Sequence, residues 1–158
     1  MKYGITFGAF DLLHAGHVLF FESCKEHCDH LIVGLHIDPS IQNSKKNKPI
    51  ESLIERTIKL NGCRFVDKVL PYETEEDIDF MLKCPAGADL QYYFVGSDHE
   101  NDFITGQDEF KGKILLIPRN HGYSSSDLRA RVLDRWSAKH DPFHPEYNNY
   151  NGRPSHAL

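Results

Sequence analysis

The chain has no hydrophobic run long enough to cross a membrane and no excess of basic residues. Its 158 residues include 18 lysines and arginines against 23 aspartates and glutamates, which gives a net charge of −5. A membrane helix needs about 20 apolar residues, and Asp11 and His14 interrupt the apolar N-terminus before a signal-peptide core could form. A nucleic-acid-binding surface needs a basic stripe, which this sequence lacks. We therefore expect a cytoplasmic protein with no membrane span and no nucleic-acid partner.

Cysteine is also sparse, and its spacing indicates neither a disulfide framework nor a zinc site. The sequence has four cysteines. Cys24, His27 and Cys28 would share one helix face, with His30 close by, and these residue types bind zinc. A structural zinc site takes four ligands, usually from two separated segments, and no second pair stands at a suitable spacing. We expect these cysteines to fill the core of a protein from a reducing compartment and to hold no metal.

What the sequence does have is a regular alternation of short apolar runs and helical patterns. At this length one domain is expected, and the alternation predicts an α/β fold, a Rossmann-like parallel five-stranded sheet with helices on both faces. From about Ala138 the periodicity stops, so we expect a folded domain over residues 1–137 and a polar tail over residues 138–158. The predicted strands are 3–7, 31–35, 66–70, 92–95 and 113–117, and the predicted helices are 17–27, 50–61, 75–83 and 127–136.

Four polar segments stand where predicted strands end. They are residues 8–17, 36–38, 96–99 and 118–126. Ligands of parallel α/β sheets bind beyond the carboxyl ends of the strands, near the point where the strand order reverses. We therefore expect these segments to converge on one site.

The first of these segments, Gly8-Ala9-Phe10-Asp11-Leu12-Leu13-His14-Ala15-Gly16-His17, indicates phosphate chemistry. His14 and His17 are three residues apart at a predicted helix start, so their rings would lie on one face. A helix N-terminus favours an anion through its unpaired N–H groups and its dipole. Gly8 and Gly16 allow a ligand to approach the backbone closely. The alternative is a glycine-containing turn with surface histidines.

The same segment, GAFDLLHAGH, resembles the signature GxFDxLHxGH of the cytidylyltransferase-like nucleotidyltransferases. Members of this superfamily couple a nucleoside triphosphate to a phosphorylated small molecule and release pyrophosphate. The HxGH element is shared with adenylyl-transferring members. The longer match is most similar to the enzymes that use glycerol 3-phosphate, phosphocholine or phosphoethanolamine. Ala9 stands where the family often has threonine and keeps a backbone N–H for phosphate.

A second segment, before the last predicted helix, is similar to the superfamily's second signature, R-T-x-G-I-S-T-[ST]. Arg119, Gly122 and Ser124 match this pattern. Tyr123 replaces isoleucine, and Ser125 replaces threonine but keeps the hydroxyl. The serines are also good N-cap residues, so a well-capped helix without a ligand is the alternative.

The resemblance implies a role for each group. His14 and His17 would donate hydrogen bonds to the α- and β-phosphates, and Arg119 would hold the β,γ end. The resemblance implies the following catalytic residues: His14, His17, Arg119 and Lys45. It implies the following nucleotide-binding residues: Gly8, Ala9, Phe10, Asp11, Gly16, Lys46, Arg64, Asp98, Gly122, Tyr123, Ser124 and Ser125. A magnesium ion is expected because triphosphates are usually presented with one, and the resemblance implies a homodimer.

Three of the polar residues keep alternative roles. Asp11 and Asp98 are expected to contact the ribose or to orient a histidine. Arg56, in the predicted helix 50–61, stands where the family has basic residues, and its alternative role is that of a salt-bridge partner on that helix.

The reaction implied by the resemblance is the transfer of CMP from CTP to a small phosphorylated alcohol, with release of pyrophosphate. The acidic run from Glu73 to Asp77 favours a cationic head group, such as choline or ethanolamine, over glycerol 3-phosphate. The same residues also favour a helix N-terminus. Two alternatives remain open: an adenylyltransferase for a sugar phosphate or FMN, and a non-catalytic nucleotide-binding protein of the same fold.

Overall fold

The protein, described from a computed structural model over residues 1–83, 89–97, 104–108 and 110–146, is an α/β protein. Within these residues five strands form one sheet in the order β3-β2-β1-β4-β5, and each neighbouring pair is parallel. The strands are β1 (Tyr3–Gly8), β2 (His30–His36), β3 (Lys68–Tyr72), β4 (Leu90–Gly96) and β5 (Lys113–Ile117). The helices are α1 (Ala15–Lys25), α2 (Pro39–Gln42), α3 (Leu53–Asn61), α4 (Glu75–Lys83) and α5 (Ser125–His140). The predicted fold class is confirmed.

Helices cover both faces of the sheet, because the central strands are apolar on both sides. On one face α1 contributes Phe21 and α3 contributes Leu60 to a core that also contains Leu31 of β2. On the other face α4 contributes Ile78 to a second core with Ile32 of β2. The adjacent β2 residues point to opposite faces, as the two-residue period of a strand requires.

The order of the strands places the expected site. From β1 the chain runs to β2 and β3 on one side and then crosses back to β4 on the other. This reversal puts the topological switch point between β1 and β4, where ligands of such sheets bind beyond the carboxyl ends. Gly8, the last residue of β1, pairs with Leu35 near the end of β2. The segment that follows Gly8 therefore leaves the sheet at its carboxyl edge.

Several element boundaries differ from the predictions, because side-chain caps and turns decide them. The α1 helix begins at Ala15 because the His14 side chain caps it. The α3 helix begins after Ser52, which forms a capping box with Glu55, rather than at residue 50. A short helix, α2, was not predicted, and the carboxylate of Asp38 caps it. The β3 strand starts at Lys68 because the preceding residues still belong to a turn.

The contacts divide the chain into two units, Met1–Gly122 and Tyr123–Leu158. In the second unit α5 begins after Ser124, whose side chain accepts a hydrogen bond from the Asp127 N–H. The helix continues to His140, beyond its predicted end at residue 136. His144 follows the helix, and its Nε2 lies 3.2 Å from Oδ1 of Asp134 in α5. The domain boundary after residue 137 stays a prediction. In the part of the chain that the structure describes, no helix is long and apolar enough to span a membrane.

Candidate active site

The HxGH loop comprises residues 8–17, from the last residue of β1 to the first turn of α1, and it turns sharply between these two elements. Phe10 and Leu12 have φ values of 45° and 51°, a left-handed conformation that is uncommon for residues other than glycine. The turn directs the Phe10 ring into the core, where it packs against Phe21 at 5.1 Å and against the His17 ring at 5.4 Å. The structure therefore gives the Phe10 side chain a place beneath the histidines, and its ring does not line the expected nucleotide site.

The two histidines of the HxGH loop come together at the N-terminus of α1. Their ring centroids are 3.8 Å apart and the rings are stacked, with an interplanar angle of 25°. His14 is the N-cap residue, and its Nδ1 accepts a hydrogen bond of 3.1 Å from the Gly16 N–H. A neutral imidazole has one N–H, so this bond assigns the proton of His14 to Nε2. The loop thus presents an N–H donor beside the positive end of the helix dipole.

Both histidines are neutral near pH 7. Burial, together with the neighbouring His14 and Arg119, lowers the pKa of His17 to about 3, whereas Asp11 opposes the change. Burial, Arg119 and His121 also lower the pKa of His14. The Nδ1 atom of His17 is buried and has no hydrogen-bond partner among the described residues. Nε2 is therefore the better position for the proton of His17, since a buried N–H without a partner is costly.

Arg119 reaches the same place from the end of β5. Its charge lowers the pKa values of His14 and His17, so the guanidinium acts electrostatically on both rings. The Arg119 backbone N–H donates to the Ser97 hydroxyl at 3.1 Å, which ties the ends of β4 and β5 together. We call His14, His17 and Arg119 the histidine–arginine cluster. A permanent forked cation beside two N–H donors is suited to binding phosphate oxygens.

Two residues near this cluster were not predicted. His121 lies close enough to act on the pKa values of both His14 and His17. It occupies the variable position of the second signature, so its place in the polar segment 118–126, which was expected to converge on the site, was the indication for it. Ser97 directly follows β4, and its position at the carboxyl end of a strand was the only available indication.

The carboxylate of Asp11 connects the HxGH loop to the segment before α3. Its two oxygens accept hydrogen bonds from the N–H groups of Ile50 and Glu51, at 3.0 and 2.9 Å. In return, the Glu51 carboxylate accepts from the Leu12 N–H at 2.9 Å and contacts Lys59. Asp11 is 6% exposed. These two bonds fix the HxGH loop against the segment before α3, and a contact of Asp11 with a ribose stays a prediction.

Arg56 is the most deeply engaged charged residue of this region. It is 2% exposed and donates to four backbone carbonyls, those of Glu51, Ala9, His36 and Ile37, at 2.7 to 3.1 Å. These carbonyls belong to the HxGH loop, the end of β2 and the segment before α3. The alternative role as a salt-bridge partner on the helix was therefore wrong. The side chain points inward and joins three loops at the carboxyl edge of the sheet.

The basic loop before α3 is exposed. The backbone N–H groups of Lys45 and Lys46 bond to Asn43, at 3.0 Å to its side chain and 2.9 Å to its carbonyl. Both lysine side chains are exposed. The loop is joined to the HxGH loop at its far end, through the bonds of Ile50 and Glu51 to Asp11. Lys45 and Lys46 therefore lie on a segment anchored to the site, and their contact with a phosphate stays a prediction.

Arg64 is the predicted residue that the structure places elsewhere. It is exposed, and its guanidinium lies 4.8 Å from the centre of the Phe65 ring. The turn that carries it leads to Asp67, whose N–H bonds to the carbonyl of Leu31 near the start of β2. This is the amino edge of the sheet, opposite the HxGH loop. Within a single chain Arg64 is thus not brought to the histidine–arginine cluster.

The remaining predicted residues are Ala9, Gly122, Tyr123, Ser124, Ser125 and Asp98. Ala9 is partly buried beside Gly8, and its carbonyl is held by Arg56. Gly122 is exposed, and an added Cβ there would meet no atom within 4 Å. In the second unit the Ser124 side chain caps α5 at Asp127 with a bond of 3.0 Å, and Tyr123 is exposed. Ser125 begins the helix, and Asp98 lies outside the described residues.

The cysteines near the start of the chain are part of the core. Cys24 is fully buried, and Cys28 is 5% exposed and donates to the Cys24 carbonyl at 3.4 Å. Burial raises the pKa of Cys28 to about 11. A thiol that stays protonated at neutral pH is a weak metal ligand.

The fold and the histidine–arginine cluster together define a nucleotide-binding α/β protein whose chemistry is directed at phosphate. The strand-loop-helix unit at the switch point supplies the anion site, and the neutral histidines supply N–H donors. A family model described as cytidylyltransferase-like matches residues 5–131. The chain belongs to this family, and it is an enzyme of the nucleotidyltransferase superfamily.

The similar curated proteins are much longer than this chain. It is 34% identical to the bifunctional protein HldE of Coxiella burnetii over 134 residues, and this match covers 82% of the chain. It is 32% identical over 135 residues to the bifunctional protein HldE of Hyphomonas neptunium, which covers 83% of the chain. In both cases the match spans only 27% of the relative's length.

Solved structures with a similar fold are more distant in sequence. The lipopolysaccharide core biosynthesis protein of Thermoplasma volcanium has a TM-score of 0.60 at 21% identity, over 78% of this chain and 99% of its own. A putative nicotinate-nucleotide adenylyltransferase of Vibrio parahaemolyticus has a TM-score of 0.52 at 20% identity, over 85% of this chain and 89% of its own. At these identities the likeness concerns the fold alone.

Proposed function

We propose that this enzyme transfers the adenylyl group of ATP to the phosphate of a phosphorylated sugar and releases pyrophosphate. The observation that carries the nucleotidyl transfer is the histidine–arginine cluster, with two stacked neutral histidines at the N-terminus of α1 and Arg119 beside them. The choice of the adenylyl branch rests on the HldE relatives, which match over most of this chain.

The transfer needs no covalent intermediate with the protein. An oxygen of the acceptor phosphate attacks the α-phosphorus of ATP, and the bond from that phosphorus to the β-phosphate oxygen breaks in line. The electron pair of the broken bond leaves with pyrophosphate, so negative charge grows on the β-phosphate side. The Nε2–H groups of His14 and His17 would donate to these oxygens, and Arg119 would hold the departing end. Catalysis of this kind depends on positioning and on charge stabilisation.

Neutral histidines suit this task because they give N–H donors without needing a proton from solvent. The low pKa of His17 means that its ring carries no charge when the site holds no nucleotide. The negative charge of a bound triphosphate would raise that pKa and strengthen the hydrogen bond. The donors are thus present before the nucleotide arrives and strengthen as charge develops.

A magnesium ion fits this site only as a companion of the nucleotide. Among the described residues no three histidine, cysteine or acidic side chains are grouped so as to hold a metal. Both oxygens of the nearby Asp11 carboxylate bind backbone N–H groups. Magnesium commonly binds substrate phosphates with few protein ligands, and here it would neutralise part of the triphosphate charge.

The acidic surroundings at the ends of β2 and β3 favour a sugar as the acceptor. Asp38 follows β2, and Glu73 and Glu75 follow β3 at the carboxyl edge. Their charges act on His36 at the end of β2, so all three carboxylates lie near this edge. Carboxylates accept hydrogen bonds from hydroxyl groups. A molecule with several hydroxyl groups and one phosphate would therefore find partners here as well as at the histidine–arginine cluster.

A second candidate is the transfer of CMP from CTP to a phosphorylated alcohol. The GAFDLLHAGH segment favours this candidate, since it resembles enzymes that use glycerol 3-phosphate, phosphocholine or phosphoethanolamine. The same acidic residues also suit a cationic head group.

A homodimer and a cytoplasmic location are further parts of the proposal. The homodimer is tested by measuring the mass of the protein in solution.

The experiment crosses ATP and CTP against a panel of hexose and heptose 1-phosphates, glycerol 3-phosphate and phosphocholine, with magnesium present. Release of pyrophosphate with ATP and a sugar phosphate supports the proposal. Release with CTP and an alcohol phosphate supports the second candidate and contradicts the first. The variant H17A serves as the control, since its loss of turnover ties the release to the histidine–arginine cluster.

A further inference from the structure

His36 lies beside the HxGH loop, although neither signature includes it. It is the last residue of β2, and its carbonyl accepts a hydrogen bond of 2.7 Å from Arg56. The same Arg56 nitrogen donates to the Ala9 carbonyl at 2.8 Å. One guanidinium nitrogen thus joins the backbone of His36 to the backbone of the HxGH loop. Residue 36 therefore lies next to the HxGH loop, at the carboxyl edge where ligands bind.

The His36 ring rests on an aromatic support. Its centroid is 4.6 Å from that of Tyr72, the residue that pairs with it on β3. The ring is partly buried, and its Nδ1 is buried with no hydrogen-bond partner among the described residues. An N–H at that position would be an unsatisfied donor, so the proton is better placed on Nε2. Nε2 is then the atom through which the ring can donate to a ligand.

The charged groups around His36 are of both signs. Burial lowers the pKa of His36 and Arg56 lowers it further, whereas Asp38, Glu73 and Glu75 raise it. The net effect is a lower pKa, so the ring is neutral at pH 7. A neutral Nε2–H donor with carboxylates nearby is complementary to a hydroxyl group, which accepts one hydrogen bond and donates another.

The same place is poorly built for a quaternary ammonium group. Such groups are bound by the open faces of aromatic rings. Tyr72 and Tyr93 are only 6% and 5% exposed, and each packs edge-on against Phe7 at 5.5 Å. Both rings are therefore buried and offer little open face to a ligand. His36 supplies a hydrogen-bond donor at this edge, and such a donor fits a hydroxyl.

We propose that His36 is a specificity-determining residue, whose imidazole donates a hydrogen bond to a hydroxyl group of the sugar phosphate acceptor. The assignment rests on the proposed function and adds to it the residue that selects the acceptor. The acceptor hydroxyl would in turn donate to a carboxylate among Asp38, Glu73 and Glu75. The acceptor phosphate would remain at the histidine–arginine cluster, on the other side of the Ala9 carbonyl.

The test compares H36F with H30F in the full chain. Phenylalanine keeps a ring against Tyr72 and removes the nitrogen donor. His30 is a matched control, because it is the first residue of the same strand, lies on the same face and packs on Tyr3 at 5.1 Å. It stands at the amino edge, about 20 Å from His36 for a strand that rises about 3.3 Å per residue. The Michaelis constants for ATP and for the sugar 1-phosphate used best by the wild type are measured for each variant.

We expect H36F to raise the acceptor KM about tenfold or more, with the ATP KM changed less than about twofold, as for the loss of one ground-state contact. H30F should leave both constants unchanged. H36Q, which keeps an N–H donor, should recover part of the loss and also covers the case that H36F does not fold. An unchanged acceptor KM in H36F and H36Q, or an equal rise in H30F, overturns the assignment.

The wild-type measurement separates this proposal from the one on which it rests. If the wild type releases no pyrophosphate with ATP and any sugar phosphate, the proposed function fails and the assignment of His36 fails with it. If the wild type is active and the His36 variants keep its acceptor KM, only the assignment fails.

Discussion

Replacement of Arg56 by methionine should destabilise the protein more than the replacement of an exposed arginine such as Arg64. The side chain donates to four backbone carbonyls. Each hydrogen bond to a charged group is worth about 1.5–3 kcal/mol. The simple total overestimates the loss, because several of these carbonyls lie at an edge that water can enter. Breaking a buried charged network usually costs about 3–5 kcal/mol, and we expect R56M to lose this amount.

The measurement is the free energy of unfolding from urea titrations, with R64M as the matched control. Arg64 is exposed and packs on one ring, so its replacement should cost less than about 1 kcal/mol. R56K should recover only part of the loss, since an ammonium group cannot reproduce the fork of a guanidinium. A loss in R56M below about 1 kcal/mol, or one no larger than that of R64M, would refute the conclusion that Arg56 joins the three loops.

Three further predictions concern the site itself. Because His17 has a folded pKa of about 3 and an unfolded value of 6.5, the unfolded chain binds more protons below pH 6.5, so stability should fall by about 2.5 kcal/mol between pH 7 and pH 4.5. H17Q should lack this part of the acid dependence in unfolding titrations, and an identical pH profile would contradict the assigned pKa. G122A should unfold like the wild type, since an added Cβ meets no atom of the protein there. It should bind ATP more weakly, because Gly122 is one of the expected nucleotide-binding residues. As a comparison, G34A should be destabilised, since its Cβ would overlap the Phe7 ring. H14A should lower kcat by about 10²–10³-fold in steady-state assays, as the loss of one transition-state donor does, and a kcat near that of the wild type would remove His14 from the reaction.

The order and type of the main elements could be predicted because buried parallel strands are continuous apolar runs. The strands around Ile32 and Phe94 are of this kind. The HxGH loop was recognisable because its residues are contiguous. The contacts of Arg56 were not predictable, because its partners are backbone carbonyls from segments distant in sequence. A pattern on one helix contains no information about them.

Two other residues show where a sequence pattern stops being informative. The inward turn of Phe10 depends on a positive φ angle. A glycine at this position would have indicated such an angle in the sequence, whereas a phenylalanine does not. Arg64 precedes a strand, so its position alone already placed it at the amino edge of a parallel sheet. Only the family resemblance assigned Arg64 to the nucleotide site. A resemblance shows which motif position a residue occupies, but it does not show where that residue lies in this fold.

In the proposed reaction the acceptor phosphate attacks the nucleotide directly at the histidine–arginine cluster. A sugar phosphate whose phosphate oxygens are labelled with ¹⁸O is supplied together with ATP, and the masses of both products are determined. Direct attack predicts a nucleoside diphosphate sugar that retains all of the label, and unlabelled pyrophosphate. Label in the pyrophosphate, or an adenylylated form of the protein as an intermediate, would contradict it.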